Sequence, residues 1–194
     1  MSRASVSDPI SARRILIHGV TGSGKSTAAA AIAERLGMPL VLVDEIGWLP
    51  GWVERPRDEQ RAMVADASAG GAWVFDSAYT KWRDVMIDRV ELVVGLDYPR
   101  WLSLGRLVRR TARRIRTHEA VCNGNHETLP KALSRDSIIV WHFRSWKRKR
   151  AVMRALAEDA EAPPTLLFRH PRELQRWIDA LEPARSGAAS ASLD

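Results

Sequence analysis

Residues 19–26 read Gly19-Val20-Thr21-Gly22-Ser23-Gly24-Lys25-Ser26. That spacing, G-x-x-x-x-G-K-[ST], is the one by which a main chain wraps phosphate. Glycines let the backbone turn tightly, so that N–H groups converge on phosphate oxygens. A helix beginning near Lys25 adds the positive end of its dipole. The Lys25 ammonium reaches β and γ phosphates, and the Ser26 hydroxyl can ligate Mg²⁺. Gly19, Thr21, Gly22, Ser23, Gly24, Lys25, Ser26 and Thr27 are therefore the expected contacts to ATP. An accidental glycine-rich turn is the bland alternative. The flanks argue against it, since an apolar run precedes the loop and an alanine-rich run follows it.

Three acids end apolar runs: Asp44 after LVLV, Asp76 after AWVF and Asp97 after VELVVGL. In an open parallel sheet, ligands sit beyond the carboxyl ends of the strands. Asp44 can orient or deprotonate an acceptor hydroxyl, or hold Mg²⁺ through water. Asp76 is the better candidate for a carboxylate standing behind the direct ligands of the metal. Each acid also has a purely structural reading, as a strand-end residue capping a turn. Glu45 can substitute for Asp44. Trp48-Leu49-Pro50-Gly51-Trp52 follows, and its two rings either wall an acceptor or pack a loop onto the core. Tyr79, Lys81 and Arg83 trail Asp76 and can face the same cleft.

Between Pro99 and His118 stand seven arginines and no acid. Arg106, Arg110, Arg113 and Arg114 share one helix face. Such a face repels itself until an anion arrives, and it suits the charge spread over a moving phosphoryl group. Lys25, Asp44, Arg110 and Arg114 are the expected catalytic set, and Ser26 and Asp76 the metal set. A solvated basic face is the competing reading of the arginines. Residues 117–130 carry His118, Cys122 and His126 and read as a flap, at a spacing unlike that of zinc sites. Arg144, Lys147, Arg148, Lys149 and Arg150 interleave with Trp141 and Trp146. That pattern suits a nucleic-acid surface or, as preferred here, a helix on which Trp141, Ile138 and Phe143 are core and the cations are solvated.

These residues need a scaffold. Apolar runs at 14–18, 40–43, 72–75, 90–96 and 165–168 predict strands. Residues 25–36, 57–69, 99–116, 131–157 and 171–181 predict helices. The alternation indicates an α/β fold with a parallel sheet covered on both faces and right-handed crossovers. The chain has 194 residues, 45% of them hydrophobic, enough for one real core and one domain. Residues 13–183 are the expected domain. Residues 1–12 and 184–194 are expected to be flexible. A single cysteine excludes an intrachain disulfide, and a net charge of +7 favours anionic partners. No run approaches a membrane span, so a cytoplasmic protein is expected. Oligomeric state is not legible.

The chain resembles the adenylate-kinase-like P-loop kinases. It is similar more narrowly to bacterial DNA topology modulation, or adenylate kinase-related, proteins. The residues carrying this are GVTGSGKST at 19–27, VDEIGWLPGW at 43–52, WVFDSAY at 73–79 and LDYPRWLSLGRLVRR at 96–110. The resemblance spans about residues 14–182. It implies a three-layer P-loop NTPase fold with a five-stranded parallel core, an acceptor region after strand two and an arginine-rich lid at about 111–138. By the same resemblance Arg106 lies over adenine, Arg110 touches phosphate, and the segment around His170 passes the base. The subgroup usually has Asp-Gly-Asn-Tyr where this chain has Asp76-Ser77-Ala78-Tyr79, and residues 117–130 lack an adenylate kinase lid signature. The expectation is an ATP- and Mg²⁺-dependent kinase of nucleoside-monophosphate-kinase type with an unidentified small-molecule acceptor. The alternative is a nucleic-acid-associated NTP-binding protein without kinase activity.

Overall fold

Ile15, Leu16 and Ile17 are all buried, so their strand has no solvent face and must lie inside a sheet covered on both sides. A computed structural model describes residues 11–183 and places that strand, β1 (Arg14–Gly19), at the centre. Both expected flexible ends fall mostly outside these residues, although Ala12 already packs on the core. The elements follow as α1 (Lys25–Leu36), β2 (Leu40–Val41), α2 (Val43–Gly47), β3 (Trp48–Leu49), β4 (Val53–Glu54), α3 (Arg57–Ala69) and β5 (Trp73–Phe75). Next come β6 (Leu92–Leu96), α4 (Arg100–Thr117), β7 (Ala120–Val121), β8 (Asn125–His126), α5 (Leu129–Leu133), α6 (Ile138–Glu158), β9 (Thr165–Phe168) and α7 (Pro171–Ala180). The main sheet has five parallel strands in the order β2-β5-β1-β6-β9.

Side-chain alternation along β1 divides the core. Ile15 and Ile17 join Ile32 of α1 and Trp177 of α7 on one face, whereas Leu16 joins Val64 of α3, Trp82, Met86 and Val93 on the other. The sheet is therefore the middle of three layers, as the sequence implies.

Four expectations change. The second strand stops at Val41, because Val43 is buried as the first residue of a short helix and not as the end of an extended run. Glu91 lies outside β6, where its carboxylate accepts from the backbone N–H groups of Arg13 and Arg14 at 2.7 and 3.1 Å. The helix read over 131–157 is two helices, broken where Ser137 Oγ accepts from Val140 N at 3.2 Å and starts α6 afresh. Trp141 and Phe143 are not core: they are 43% and 51% exposed, and His142 between them is the buried residue.

The cations of α6 are not all solvated either. Asp97 is buried at the end of β6 and accepts from Arg154 Nε and Nη2 at 3.0 and 2.8 Å and from Arg150. This assigns Asp97 a structural role, tying α6 to the sheet. Asp97→Ala is expected to lower stability by about 2–3 kcal/mol, because it strands two guanidinium groups that are only partly hydrated. A denaturant midpoint that does not move would show that the pair contributes nothing to holding α6.

Candidate functional site

The loop between β1 and α1 takes the conformation its glycines permit. Gly22 and Gly24 have φ of 81° and 94°, the left-handed region that side chains resist. Gly22 is also wedged under α4: a Cβ there would lie 2.4 Å from the Ser103 carbonyl oxygen and 2.8 Å from Leu107 Cβ. The loop is thus clamped from above by the arginine helix. Ser23 N donates to the Val20 carbonyl at 3.2 Å, and Lys25 Nζ donates to the same oxygen at 3.2 Å. Burial holds the Lys25 ammonium below the usual lysine range, opposed by Asp44 and Asp76 and reinforced by Arg110.

Asp76 joins three elements. Its Oδ2 accepts from Ser26 Oγ at 2.6 Å, and its Oδ1 accepts from Val43 N at 2.9 Å. Burial raises its pKa, while those two hydrogen bonds pull the other way. A hydroxyl and a carboxylate side by side at a helix start form a hard-oxygen donor pair. It fits a cation that keeps most of its ligands as water and phosphate oxygen. Among the described residues no group of three or more His, Cys, Asp or Glu side chains could hold a metal.

Asp44 stands on the first turn of α2, exposed, and accepts from the Tyr79 hydroxyl. Burial, with Asp44 beside it, pushes the Tyr79 phenol well above its ordinary range, so it remains a donor. Asp44 also lies within electrostatic reach of Lys25, Arg110 and Lys149. The loop, Asp44 and Asp76 therefore converge.

The arginines divide. Arg106 Nη1 donates to the Ser23 carbonyl at 3.2 Å, and its guanidinium lies 5.7 Å from the Tyr98 ring centroid. Burial pushes the Tyr98 phenol up to about 12, and Glu173 stands beside it. Arg110 is half-buried with its Nε unpartnered, its pKa lowered first by burial and then by Arg114. Arg114 differs from the expectation of an acid-free face: it pairs with Glu127 at 3.3 Å and Glu119 at 3.6 Å, and Arg113 pairs with Glu119 at 3.0 Å. Those acids arrive from the following hairpin, which the helix alone does not reveal. His170 is the N-cap of α7; its Nδ1 accepts from Arg172 N at 3.1 Å in a capping box with Glu173. No hydrogen bond joins it to the loop among the described residues.

Residues 117–130, read as a flap, form the β7–β8 hairpin and are pinned down. Buried Asn125 accepts from Trp52 N at 2.7 Å and donates to the carbonyls of Leu49 and Cys122 at 3.0 and 2.6 Å. Asn123 donates to the Glu45 and Trp48 carbonyls at 2.8 and 2.6 Å. Trp52 Nε1 donates to the His126 carbonyl at 3.0 Å, and the Lys131 ammonium sits 3.9 Å from a Trp52 ring centroid. Trp52 is held at φ 59°, a strained conformation for a bulky residue. The Trp48–Trp52 pair, edge-on at 6.0 Å, thus receives the hairpin.

Three site residues were not foreseen. His142 Nδ1 donates to the Thr21 carbonyl at 2.9 Å and fixes α6 to the loop. Burial, helped by Lys25, Lys149 and Arg83, pulls His18 down to about 3. Lys149, seen only as one of a charge run, is brought down to about 8 by burial and by Lys25. The helical spacing of 142, 146 and 149 was the available signal, but the partner across it was not. A groove of about 620 Å³ between α2 and α3 lies outside the loop; Glu45, Arg55, Asp66 and Asn123 line it.

No protein-family model and no curated protein matches the chain. Solved structures similar to it include a gluconokinase from Sinorhizobium meliloti 1021, with 17% identity, 86% of this chain and 91% of that one covered, and a TM-score of 0.49. A sugar kinase from Janibacter sp. HTCC2649 has 18% identity, 86% and 94% coverage and a TM-score of 0.49. A shikimate kinase from Bacteroides thetaiotaomicron has 16% identity, 87% and 95% coverage and a TM-score of 0.49. At such distances no residue's role passes from them to this chain. No helix among the described residues is long and apolar enough to cross a membrane.

Two measurements check this geometry. Unfolded histidine titrates near pH 6.5, whereas His18 in the fold resists protonation down to about 3. The unfolded chain therefore binds a proton that the folded chain refuses, and His18 makes stability fall as pH drops from about 6.5 towards 3. In denaturant titrations, the His18→Gln variant is expected to lose less stability than wild type over that interval; parallel curves would refute it. Asn125→Ala removes three hydrogen bonds and is expected to cost about 1–3 kcal/mol. Amide exchange should rise first across residues 120–126, and uniform protection would show that the hairpin does not depend on Asn125.

Proposed function

We propose that the chain is an ATP- and Mg²⁺-dependent phosphotransferase that moves the γ-phosphoryl group onto the hydroxyl of a small acceptor. The observation that carries this is the Ser26–Asp76 hydrogen bond next to Lys25, whose ammonium lies within electrostatic reach of both Asp76 and Asp44. When bound, Mg²⁺ supplies charge neutralisation between the β and γ phosphates. Ser26 would hold it, with Asp76 behind. Loop amides from Gly22 to Thr27 and the Lys25 ammonium orient the triphosphate. Arg106, anchored on Ser23, flanks the nucleotide side with Tyr98. Arg110 offers an unpartnered N–H group to the developing charge; Arg114, paired with two glutamates, acts by holding the hairpin and Arg110 in place. Asp44 orients the acceptor hydroxyl, and the Tyr79 hydroxyl fixes the Asp44 carboxylate. Most of the rate comes from positioning and electrostatics.

Likeness of the Trp48–Trp52 segment to DNA topology modulation proteins names no reaction. A second reading has its own observation: Trp101 is 71% exposed next to Arg100, and Phe143 is exposed beside Arg144. This is an aromatic and cationic surface of the kind that stacks single strands. Steeply salt-dependent DNA binding, unaffected by Lys25→Ala, would favour it.

The test is ATP consumption with Mg²⁺ over nucleosides, nucleotides and hydroxy metabolites, with DNA as a parallel condition. One acceptor is expected to raise turnover sharply. Lys25→Ala is expected to lower that turnover by on the order of 10²–10³-fold. Unchanged ATP affinity and turnover in that variant would overturn the assignment.

A further inference from the structure

The Thr21–Gly22 peptide is gripped from outside the loop. Its carbonyl accepts from His142 Nδ1 at 2.9 Å. A trans peptide sets its C=O and the following N–H in opposite directions. The bond from α6 therefore turns the Gly22 N–H away from that helix. The next peptide but one is treated alike. Its Ser23 carbonyl accepts from Arg106 Nη1 of α4 at 3.2 Å, which turns the Gly24 N–H away from α4. Neither the Gly22 nor the Gly24 N–H donates to a backbone acceptor among the described residues. Glycine offers the backbone the widest freedom, so nothing in Gly22 itself selects this orientation. A hydrogen bond on the preceding carbonyl does.

The imidazole is placed for that task. His142 is buried on the second turn of α6. A carbonyl only accepts, so Nδ1 carries the proton. Nε2 is buried without a partner, and a proton there would be a donor with no acceptor. Burial, helped by Arg100 and Lys149, holds the ring below the usual histidine range, and the bond to Thr21 opposes them. The helix behind the ring is fixed as well. Ser137 caps its start, and Asp97 holds its later turns through Arg150 and Arg154. Packing alone does not call for an imidazole, since Met153 fills the same face of α6 without a nitrogen.

We propose that His142 is a positioning residue for the nucleotide: through the Thr21 carbonyl it fixes the direction of the Gly22 N–H, one of the amides that receive the triphosphate. This rests on the phosphotransferase reading and adds to it a residue that touches neither phosphate nor acceptor. The loop is oriented from two helices, by Arg106 on one peptide and by His142 on another. The Gly22 amide then needs no reorientation when the anion arrives.

The test compares three substitutions in the full chain, with a non-hydrolysable ATP analogue and Mg²⁺ as the probe. Asparagine carries its amide nitrogen at the δ position, as histidine carries Nδ1, whereas glutamine carries it one carbon further out. His142→Leu and His142→Gln are each expected to weaken the analogue by about tenfold or more, the worth of one hydrogen bond to a charged oxygen. His142→Asn is expected to stay within about threefold of wild type. Thermal midpoints are read beside affinity. A packing role predicts that His142→Asn and His142→Gln lose affinity together, and that pattern overturns the proposal. So does a folded His142→Leu chain that binds like wild type; where that variant does not fold, the Asn and Gln pair decides. Nitrogen NMR of the imidazole gives a second readout. The neutral Nδ1–H tautomer is expected, before and after the analogue binds, and an Nε2–H tautomer or an imidazolium at neutral pH overturns the proposal. Wild type that binds no analogue overturns the phosphotransferase reading and this inference with it. Wild type that binds, matched by all three variants, overturns this inference alone.

Discussion

One buried carboxylate organises the cleft. Asp76 has one oxygen on Ser26 and the other on the first N–H of α2. The strand before Asp76, β5, lies between β2 and β1, so the β1–α1 loop and helix α2 are its neighbours on either side. A side chain with only one acceptor group could secure one of them; a carboxylate secures both. The distance between Lys25 on one element and Asp44 on the other therefore depends on a residue belonging to neither. Asp76 is also desolvated, which makes it costly to ionise alone. Its two donors offset that cost, and a divalent cation would add a third source of relief.

The rest of the charge distribution follows from how each helix is tied to this centre. The arginine helix α4 lies directly on Gly22, where even a methyl group would collide with its backbone. α6 is tied at both ends of one face, to the Thr21 carbonyl through His142 and to Asp97 through Arg150 and Arg154. Cations whose acids arrive from elsewhere are thereby satisfied, as Arg113, Arg114, Arg150 and Arg154 are. Lys149 lies between those anchors, half-buried beside Lys25 and Asp44.

Much of this was legible. Five apolar runs gave five strands, and the loop motif fell where its chemistry requires. The second strand was read too long because a buried Val43 has the same residue type in a strand and at a helix start. The break at Ser134–Ser137 was missed because apolar periodicity resumes within a few residues, although a serine before an apolar run is a capping signal. The 117–130 hairpin carried an Asn123-Gly124 pair, a known turn signal, and its docking on Trp52 was hidden because it joins residues 73 apart. His18, His142 and Lys149 escaped for the same reason. Nothing local distinguishes the half-buried Lys149 from exposed Arg144, Lys147 and Arg148 until the helix carrying them is set against the sheet.

That last distinction bears on how the site works. A fold under selection for stability alone would place an apolar residue at position 18, as at 15, 16 and 17. This chain places an imidazole with an idle nitrogen and a lysine shifted downward among cations. Departures from local consistency are expected where function demands them. Both departures fall beside the loop lysine, and burial is the first cause of each.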